Sequence, residues 1–435
     1  MSRRLWLSGA LALLVVLAAG YAWRVRPNAD PGRAPVLAGA PADMPVLQRG
    51  AYLARAADCV ACHTAPGGKP FAGGLAFELP FGRIYSTNLT PDAATGLGAW
   101  TDDEFVRAMH EGVGRDGQRL YPAFPYTSFT QLSRADVLAI KAYLMSLPPV
   151  QQPARAPELS FPFNQRWGMG LWNAVFFRSE RFQADPARPE VWNRGAYLAN
   201  GLAHCAECHT PRNAGFALDH GQELAGASLE GWLAPNITSD PKFGLGSWSD
   251  REIVAYLLSG HAPGRGSAAG PMGEAVAHSL QHLAPADLDA LVAYLRSVPA
   301  REGDPRTAVA ARPQSVAQSS ATAPPPNTPA DLQAGLKLFE SSCASCHRWD
   351  GQGRQVERAG LLSLRSVNDP LGRSLTKAVL DGVKLQIQGQ PVFMPGFKDS
   401  MSDVEIAQLA NYVIGHFSGK RGEVTADAVA RQRTR

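Results

Sequence analysis

Six cysteines occur in this 435-residue chain, and all six lie in Cys-x-x-Cys pairs followed at once by histidine: "CVACH" from Cys59, "CAECH" from Cys205 and "CASCH" from Cys343. An even cysteine count in a secreted chain ordinarily reads as disulfides. With 10 histidines in the sequence, three such neighbours would arise by chance with a probability of roughly 10⁻⁵. Distance speaks against a zinc ribbon, whose pairs lie about 15 to 20 residues apart, whereas these lie more than a hundred apart. What fits is covalent haem attachment. Positions i and i+3 share one face of a helical turn, so both thiols can add to the two vinyl groups along one porphyrin edge. The next residue then points its imidazole at the iron. Cys59, Cys62, Cys205, Cys208, Cys343 and Cys346 are therefore expected to hold three haem c groups, with His63, His209 and His347 as proximal ligands.

The N-terminus places that chemistry in a compartment. Arg3 and Arg4 precede an uncharged, mostly apolar run from Leu5 to Trp23, and Arg24 and Arg26 follow it. Residues 1–26 thus read as an export signal or a retained membrane anchor, and the body as lying at the periplasmic face of the inner membrane. The net charge of +4 is partly local to those arginines, so no basic stripe points to nucleic acid.

The chain repeats itself around the three motifs. "RGAYLARAADCVACHT" from Arg49 returns as "RGAYLANGLAHCAECHT" from Arg194 and more loosely as "AGLKLFESSCASCH" from Ala334. Each is an amphipathic helix carrying a glycine and an aromatic: Gly50 with Tyr52, Gly195 with Tyr197, Gly335 with Phe339. A last helix closes each unit, opening on Ser133, Ala284 or Ser402, with Asp136, Asp287, Asp403 and Glu405 in the first turns. Tyr143, Tyr294 and Tyr412 on these helices are expected in the core. The combination resembles the class I cytochrome c fold, in which the glycine lets first and last helices cross closely. It implies a mainly α chain of three tandem domains, at 44–150, 191–300 and 330–420. The first linker, 151–190, is rich in aromatics (Phe161, Phe163, Trp167, Trp172, Phe176, Phe177) and is expected to pack across units one and two or to dock a partner. The second, 301–329, is rich in Ala, Pro and Ser and is expected to leave unit three mobile.

A methionine thioether is the usual second axial ligand in electron-transfer haem proteins. Met394 lies 47 residues after His347 and Met272 lies 63 after His209, both beside proline in segments that read as loops. Unit one aligns to unit two at a constant offset of 148: Asn88, Thr90, Gly96, Gly98, Trp100, Glu104 and Gly112 match Asn236, Thr238, Gly244, Gly246, Trp248, Glu252 and Gly260. The same offset sets Phe124 against Met272. Haem one is therefore expected to lack the usual sulfur. The alternatives are Met109 on a helix face, His110 facing solvent, Met145, or an open or water-bound iron.

Across nearly the whole chain from Met44, the segments "FAGGLAFELPFGRIYSTNLTPD", "GLGAWTDDEFVRAMHEGV", "LYPAFPY" and "APNITSDPKFGLGSWSD" resemble the three-haem cytochrome c subunits of membrane-bound bacterial dehydrogenases. That resemblance implies a non-catalytic electron conduit. A separate dehydrogenase subunit of molybdenum, PQQ or flavin type would supply electrons, membrane quinone or an oxidase would accept them, and Met272 and Met394 would be distal ligands. The "YPAFPY" form is more similar to the cytochromes accompanying molybdenum-containing aldehyde or N-heterocycle dehydrogenases. The competing expectations are a peroxidase using an open haem one, with His110 as its distal acid or base, and a free cytochrome shuttle.

Overall fold

Three glycines set how each unit closes. A Cβ on Gly50 would lie 1.9 Å from the Ala139 carbonyl oxygen, one on Gly195 would lie 1.8 Å from that of Ala290, and one on Gly335 would lie 2.2 Å from that of Gln408. Only a residue without a side chain permits these contacts. In each unit the opening helix (Val46–Ala56, Glu190–Tyr197, Gln333–Ser342) crosses the closing helix (Arg134–Met145, Pro285–Ser297, Asp403–Ser418) at that point. The closing helices start where the sequence places their caps: the Ser133 and Ser402 hydroxyls accept from Asp136 and Glu405 backbone N–H groups. Tyr412 is buried, whereas Tyr143 and Tyr294 are half-buried. This computed structural model describes Asp30, Gly32, Val316, Ser320 and residues 44–309, 322–353 and 357–433. The expected export or anchor segment, 1–26, lies outside them. Among the described residues, no helix is long and apolar enough to cross a membrane.

Units one and two share a core, beside which unit two keeps a small cluster of its own around Leu224 and Leu295. Leu53, Phe105, Met109, Phe129 and Ile140 of the first join Tyr197, Leu202, Leu288 and Leu291 of the second. A reciprocal brace crosses the boundary. Tyr52 of unit one donates to Asp287 Oδ2 at 2.6 Å, and Tyr197 of unit two donates to Asp136 Oδ2 at 2.6 Å. Each carboxylate also binds the arginine of its own unit, Arg194 at 2.6 Å and Arg49 at 2.5 Å. The two aspartates are thus buried acceptors on which both units converge, beyond their expected role at helix N-termini.

Unit three has a separate core around Phe339, Trp349, Tyr412 and Phe417, and continues past residue 420 into the helix Ala426–Arg433, pinned by Arg433 to Asp403 at 2.7 Å. The linker composition leaves this unit free to move; the structure has it docked. Its hairpin (Val383–Ile387 with Gln390–Met394) places Ile387, 1% exposed, in the core of units one and two. Leu233 N–H donates to Ser374 Oγ at 2.8 Å, and Lys420 reaches the Ala308 carbonyl at 2.5 Å, fastening the linker start to unit three.

The aromatic linker spans units one and two. Glu158–Leu159 adds a third strand to the unit-one hairpin (Ala76–Leu79 with Gly82–Tyr85). Phe163 stacks on Phe81 with centroids 4.0 Å apart and meets Phe216 of unit two edge-on. A helix, Gly168–Phe176, then ties Tyr126 (through Asn173, 2.6 Å) to Gly215 (through Trp172, 2.7 Å).

Candidate haem sites

Each Cys-x-x-Cys pair lies on a short helical turn: Cys59–Cys62, Cys205–His209, and Ala344–His347 with Cys343 just before it. All six thiols are free of disulfides. Burial pushes the thiols of Cys59, Cys62 and Cys205 up to about 12 and those of Cys208 and Cys343 up to about 11, so they stay protonated at neutral pH.

The histidines are held identically. His63 Nδ1 lies 2.7 Å from the Thr87 carbonyl, His209 Nδ1 2.7 Å from that of Pro235, and His347 Nδ1 2.7 Å from that of Ala359. A carbonyl only accepts, so Nδ1 carries the proton and Nε2 keeps its lone pair for a metal. Burial holds all three imidazoles below the ordinary histidine range, which keeps them neutral. Three neutral imidazoles with an available Nε2, each next to two thiols on one helical turn, are the donor set that a covalently attached iron porphyrin requires.

The offset-148 repeat explains how two of these carbonyls are placed. Asn88 Oδ1 accepts from the Thr90 N–H at 2.9 Å, and Asn236 Oδ1 from that of Thr238 at 2.8 Å. Their amides reach across to the Val150 and Arg301 carbonyls, each at 2.7 Å. The Asn turn thereby fixes the residue before it, Thr87 or Pro235, against the histidine. The sequence displays this Asn-x-Thr repeat, but the backbone atoms it positions carry no side-chain signature. Nor does any motif flag Asp58 and His204, which precede the first cysteines of units one and two with left-handed φ of 51° and 34°.

One cavity of about 2530 Å³ takes in the thiols and imidazoles of both units one and two. Ordinary small-molecule pockets hold about 300 to 1,000 Å³, so this one has room for more than one large planar group. Met272 and Met109 also line it. Met272 lies in the first turn of the helix Gly270–His278, and Met394 ends a strand, so neither is on a loop as the sequence suggests. Pro271 occupies a first-turn position where its missing N–H costs nothing, so it starts a helix instead of breaking one.

Phe124 lines the cavity too, and no slip of its loop brings a sulfur into its place. The Leu120 N–H bonds the Gly112 carbonyl at 2.8 Å, as the Ala268 N–H bonds that of Gly260 at 2.7 Å, so the offset of 148 holds to within four residues of Phe124. The ring packs near Phe129, centroids 5.6 Å apart. Met109 is a core residue at 5% exposure, and Met145 is exposed. His110 departs from expectation: it is 5% exposed instead of facing solvent, and it stands outside the cavity lining. Arg181, from the linker, is near enough to act on it electrostatically.

Residues 47–148 and 193–299 match the family model for cytochrome c, and residues 330–413 match that for cytochrome c oxidase, cbb3-type, subunit III. The fructose dehydrogenase cytochrome subunit of Gluconobacter japonicus is 40% identical over 98% of this chain and 89% of its own length. The gluconate 2-dehydrogenase cytochrome c subunit of Pantoea cypripedii is 37% identical over 88% of this chain and 89% of its own. A nicotinate dehydrogenase subunit of Pseudomonas putida is 42% identical over 96% of this chain, which spans only 34% of that protein.

Proposed function

The chain belongs to the family of dehydrogenase cytochrome c subunits, and from that membership we propose that it is a three-haem electron carrier, taking electrons from a separate periplasmic dehydrogenase and delivering them to membrane quinone or a terminal oxidase. The N-terminal segment exports the chain and holds it at the inner membrane. Cys59, Cys62, Cys205, Cys208, Cys343 and Cys346 attach the haems, His63, His209 and His347 are the proximal ligands, and Met272 and Met394 are distal ligands in units two and three. Each bound haem supplies a one-electron iron couple. The chain's own part is to orient, insulate and space. The observation that carries this reading is the threefold recurrence of an Nδ1-to-carbonyl bond at 2.7 Å beside a Cys-x-x-Cys turn. Those bonds fix each ring's tautomer and rotation, so no reorientation accompanies a change of charge at the iron.

The relatives' names make fructose, gluconate and nicotinate dehydrogenases the chemistry of the partner class. Phe124 aligns this chain with partners that oxidise aldehydes or N-heterocycles. A peroxidase reading finds no support, because His110, its one distal acid or base, is buried outside the cavity lining. Intact-mass analysis and pyridine haemochrome quantitation of the exported protein test the assignment, with three covalent haems expected. Stopped-flow mixing tests the role: reduction should require a dehydrogenase partner and its substrate, and peroxide-driven turnover by the isolated chain would overturn it.

A further inference from the structure

We propose that Arg365, from unit three, and Arg265, from unit two, form the carboxylate-binding end of the unit-two haem site, so that the site built on Cys205, Cys208 and His209 is completed by a residue of another unit. Both guanidinium groups line the shared cavity, as does the Trp248 indole. Arg265 lies over the Trp248 ring, 5.5 Å from its centroid, and its Nε donates to Glu252 at 2.9 Å, so its charge is already balanced. Arg365 is different. It donates to the Gly244 carbonyl at 3.1 Å, and among the described residues no carboxylate comes within ion-pair distance of it. Burial pushes Arg365 below its ordinary range; Asp240 offsets part of that and Arg265 adds to it, so the two cations are close enough to repel each other. The Trp248 indole N–H likewise has no acceptor among the described residues.

A half-buried cation without a counter-ion, set beside another cation, calls for an anion between them. The haem carries such groups: two propionate carboxylates, on the side of the ring away from the vinyl carbons that Cys205 and Cys208 take. Carboxylates accept from an arginine fork and from an indole N–H, the donors present here. Unit one lacks the arrangement. The offset of 148, which the Leu120–Gly112 and Ala268–Gly260 bonds carry through this loop, sets Trp100 against Trp248 but Gly117 against Arg265. Arg365 is held in place by the docking of unit three. A Cβ on Gly266 would lie 2.9 Å from Leu364 Cδ2, and the Ser267 hydroxyl donates to the Arg358 carbonyl at 3.0 Å. Docking thus brings to haem two a positive charge that favours the less positive ferrous iron, and unit three sets the potential of that haem besides carrying its own. The inference rests on the haem assignment above.

Potentiometric titration of the holo-protein, followed by haem absorbance, tests it. Arg365→Gln is expected to lower one of three one-electron components about tenfold in its equilibrium constant, or about 59 mV, with the other two unmoved, and Arg365→Lys to recover most of the shift. Met272→Ala, which removes the proposed distal sulfur of haem two, should change the spectrum of that same component. If the arginine variants fail to mature, a crystal structure of the parent holo-protein checks the contact directly, with an Arg365 nitrogen expected about 3 Å from a propionate oxygen of haem two. No shift with Arg365→Gln, an equal shift with Arg365→Lys, a shift confined to another component, or a haem-two propionate remote from Arg365 overturns the proposal. A parent chain without three covalent haems sinks the haem assignment and this inference with it; three haems and an unmoved potential sink this inference alone.

Discussion

Removing the charge of Asp287 should cost more than removing that of Asp136, although the two residues occupy equivalent places. Asp287 is 0% exposed and receives Arg194 Nε at 2.8 Å, an Arg194 terminal nitrogen at 2.6 Å and Tyr52 Oη at 2.6 Å. Asp136 receives a single contact from Arg49, at 2.5 Å, besides Tyr197. Arg194 is 5% exposed and Arg49 18%. With Asp287→Asn the guanidinium of Arg194 stays buried without its counter-ion, an arrangement that costs about 3 to 5 kcal/mol. With Asp136→Asn, Arg49 can turn towards water, and the loss should be about 1 to 3 kcal/mol. Tyr52→Phe removes one hydrogen bond to a carboxylate, about 1.5 to 3 kcal/mol, and orphans the Ala284 N–H, which Tyr52 Oη accepts at 3.1 Å. Because Tyr52 belongs to unit one and Asp287 to unit two, the double variant should fall short of the sum by about 1 kcal/mol or more. Guanidinium unfolding of the holo-protein, followed together by haem absorbance and far-ultraviolet circular dichroism, separates the shared core of units one and two from unit three. Equal losses for the two aspartate variants, or additivity of Tyr52→Phe with Asp287→Asn, would refute the brace.

Gly195→Ala puts a methyl 1.8 Å from the Ala290 oxygen, so the helices must part; a loss of about 3 kcal/mol is expected, against little or none for Gly168→Ala, where nothing lies within 4 Å. Phe124→Met should add a third sulfur-to-iron charge-transfer signal in near-infrared magnetic circular dichroism to the two expected of the natural chain, and an unchanged count would show that residue 124 does not face the iron. Burial, with Arg181 adding to it, pushes His110 down to about 4. The unfolded histidine takes up a proton as pH falls below about 6.5 while the folded one does not, so stability present above that pH is lost between there and about 4, by about 3 kcal/mol at most. His110→Phe should flatten that part of the acid limb, and an identical pH profile for variant and parent would contradict it.

What the sequence makes legible is what local chemistry dictates. The haem turns are contiguous, the crossing glycines sit at a fixed place in a repeated helix, and the Asn-x-Thr and Gly-x-Gly repeats hold the same offset in two units. The burial of His110 is not legible, because it depends on residues distant in the chain. Phe105, Val106 and Met109 of its helix belong to the core of units one and two, and the charge that acts on His110 is that of Arg181, from a linker some seventy residues on. The docking of unit three is hidden for a related reason. Its linker is polar and proline-rich, and the contact is made instead by a hairpin far along the chain, with Leu385 over Gly273 and Ile387 over Gly260. Tyr52 and Asp287 lie 235 residues apart, and nothing in either neighbourhood announces the other.

These two interfaces decide what the molecule can do as a wire. Electron transfer between fixed centres depends steeply on their separation, so a carrier of this kind has to hold its units against thermal drift. Units one and two meet through one continuous core and two buried carboxylates, each of which needs a tyrosine from the opposite unit, and sliding one past the other would strip both at once. Units two and three are joined differently. The Ser267 hydroxyl donates to the Arg358 carbonyl at 3.0 Å, and the next carbonyl along, that of Ala359, accepts from His347. From the other side, the hairpin that ends in Met394 lies against the helix that carries Met272. The hairpin that bears Met394 and the turn whose carbonyl holds His347 are thus the segments that grip unit two, so the third site cannot be displaced without disturbing the groups that set its ligand geometry.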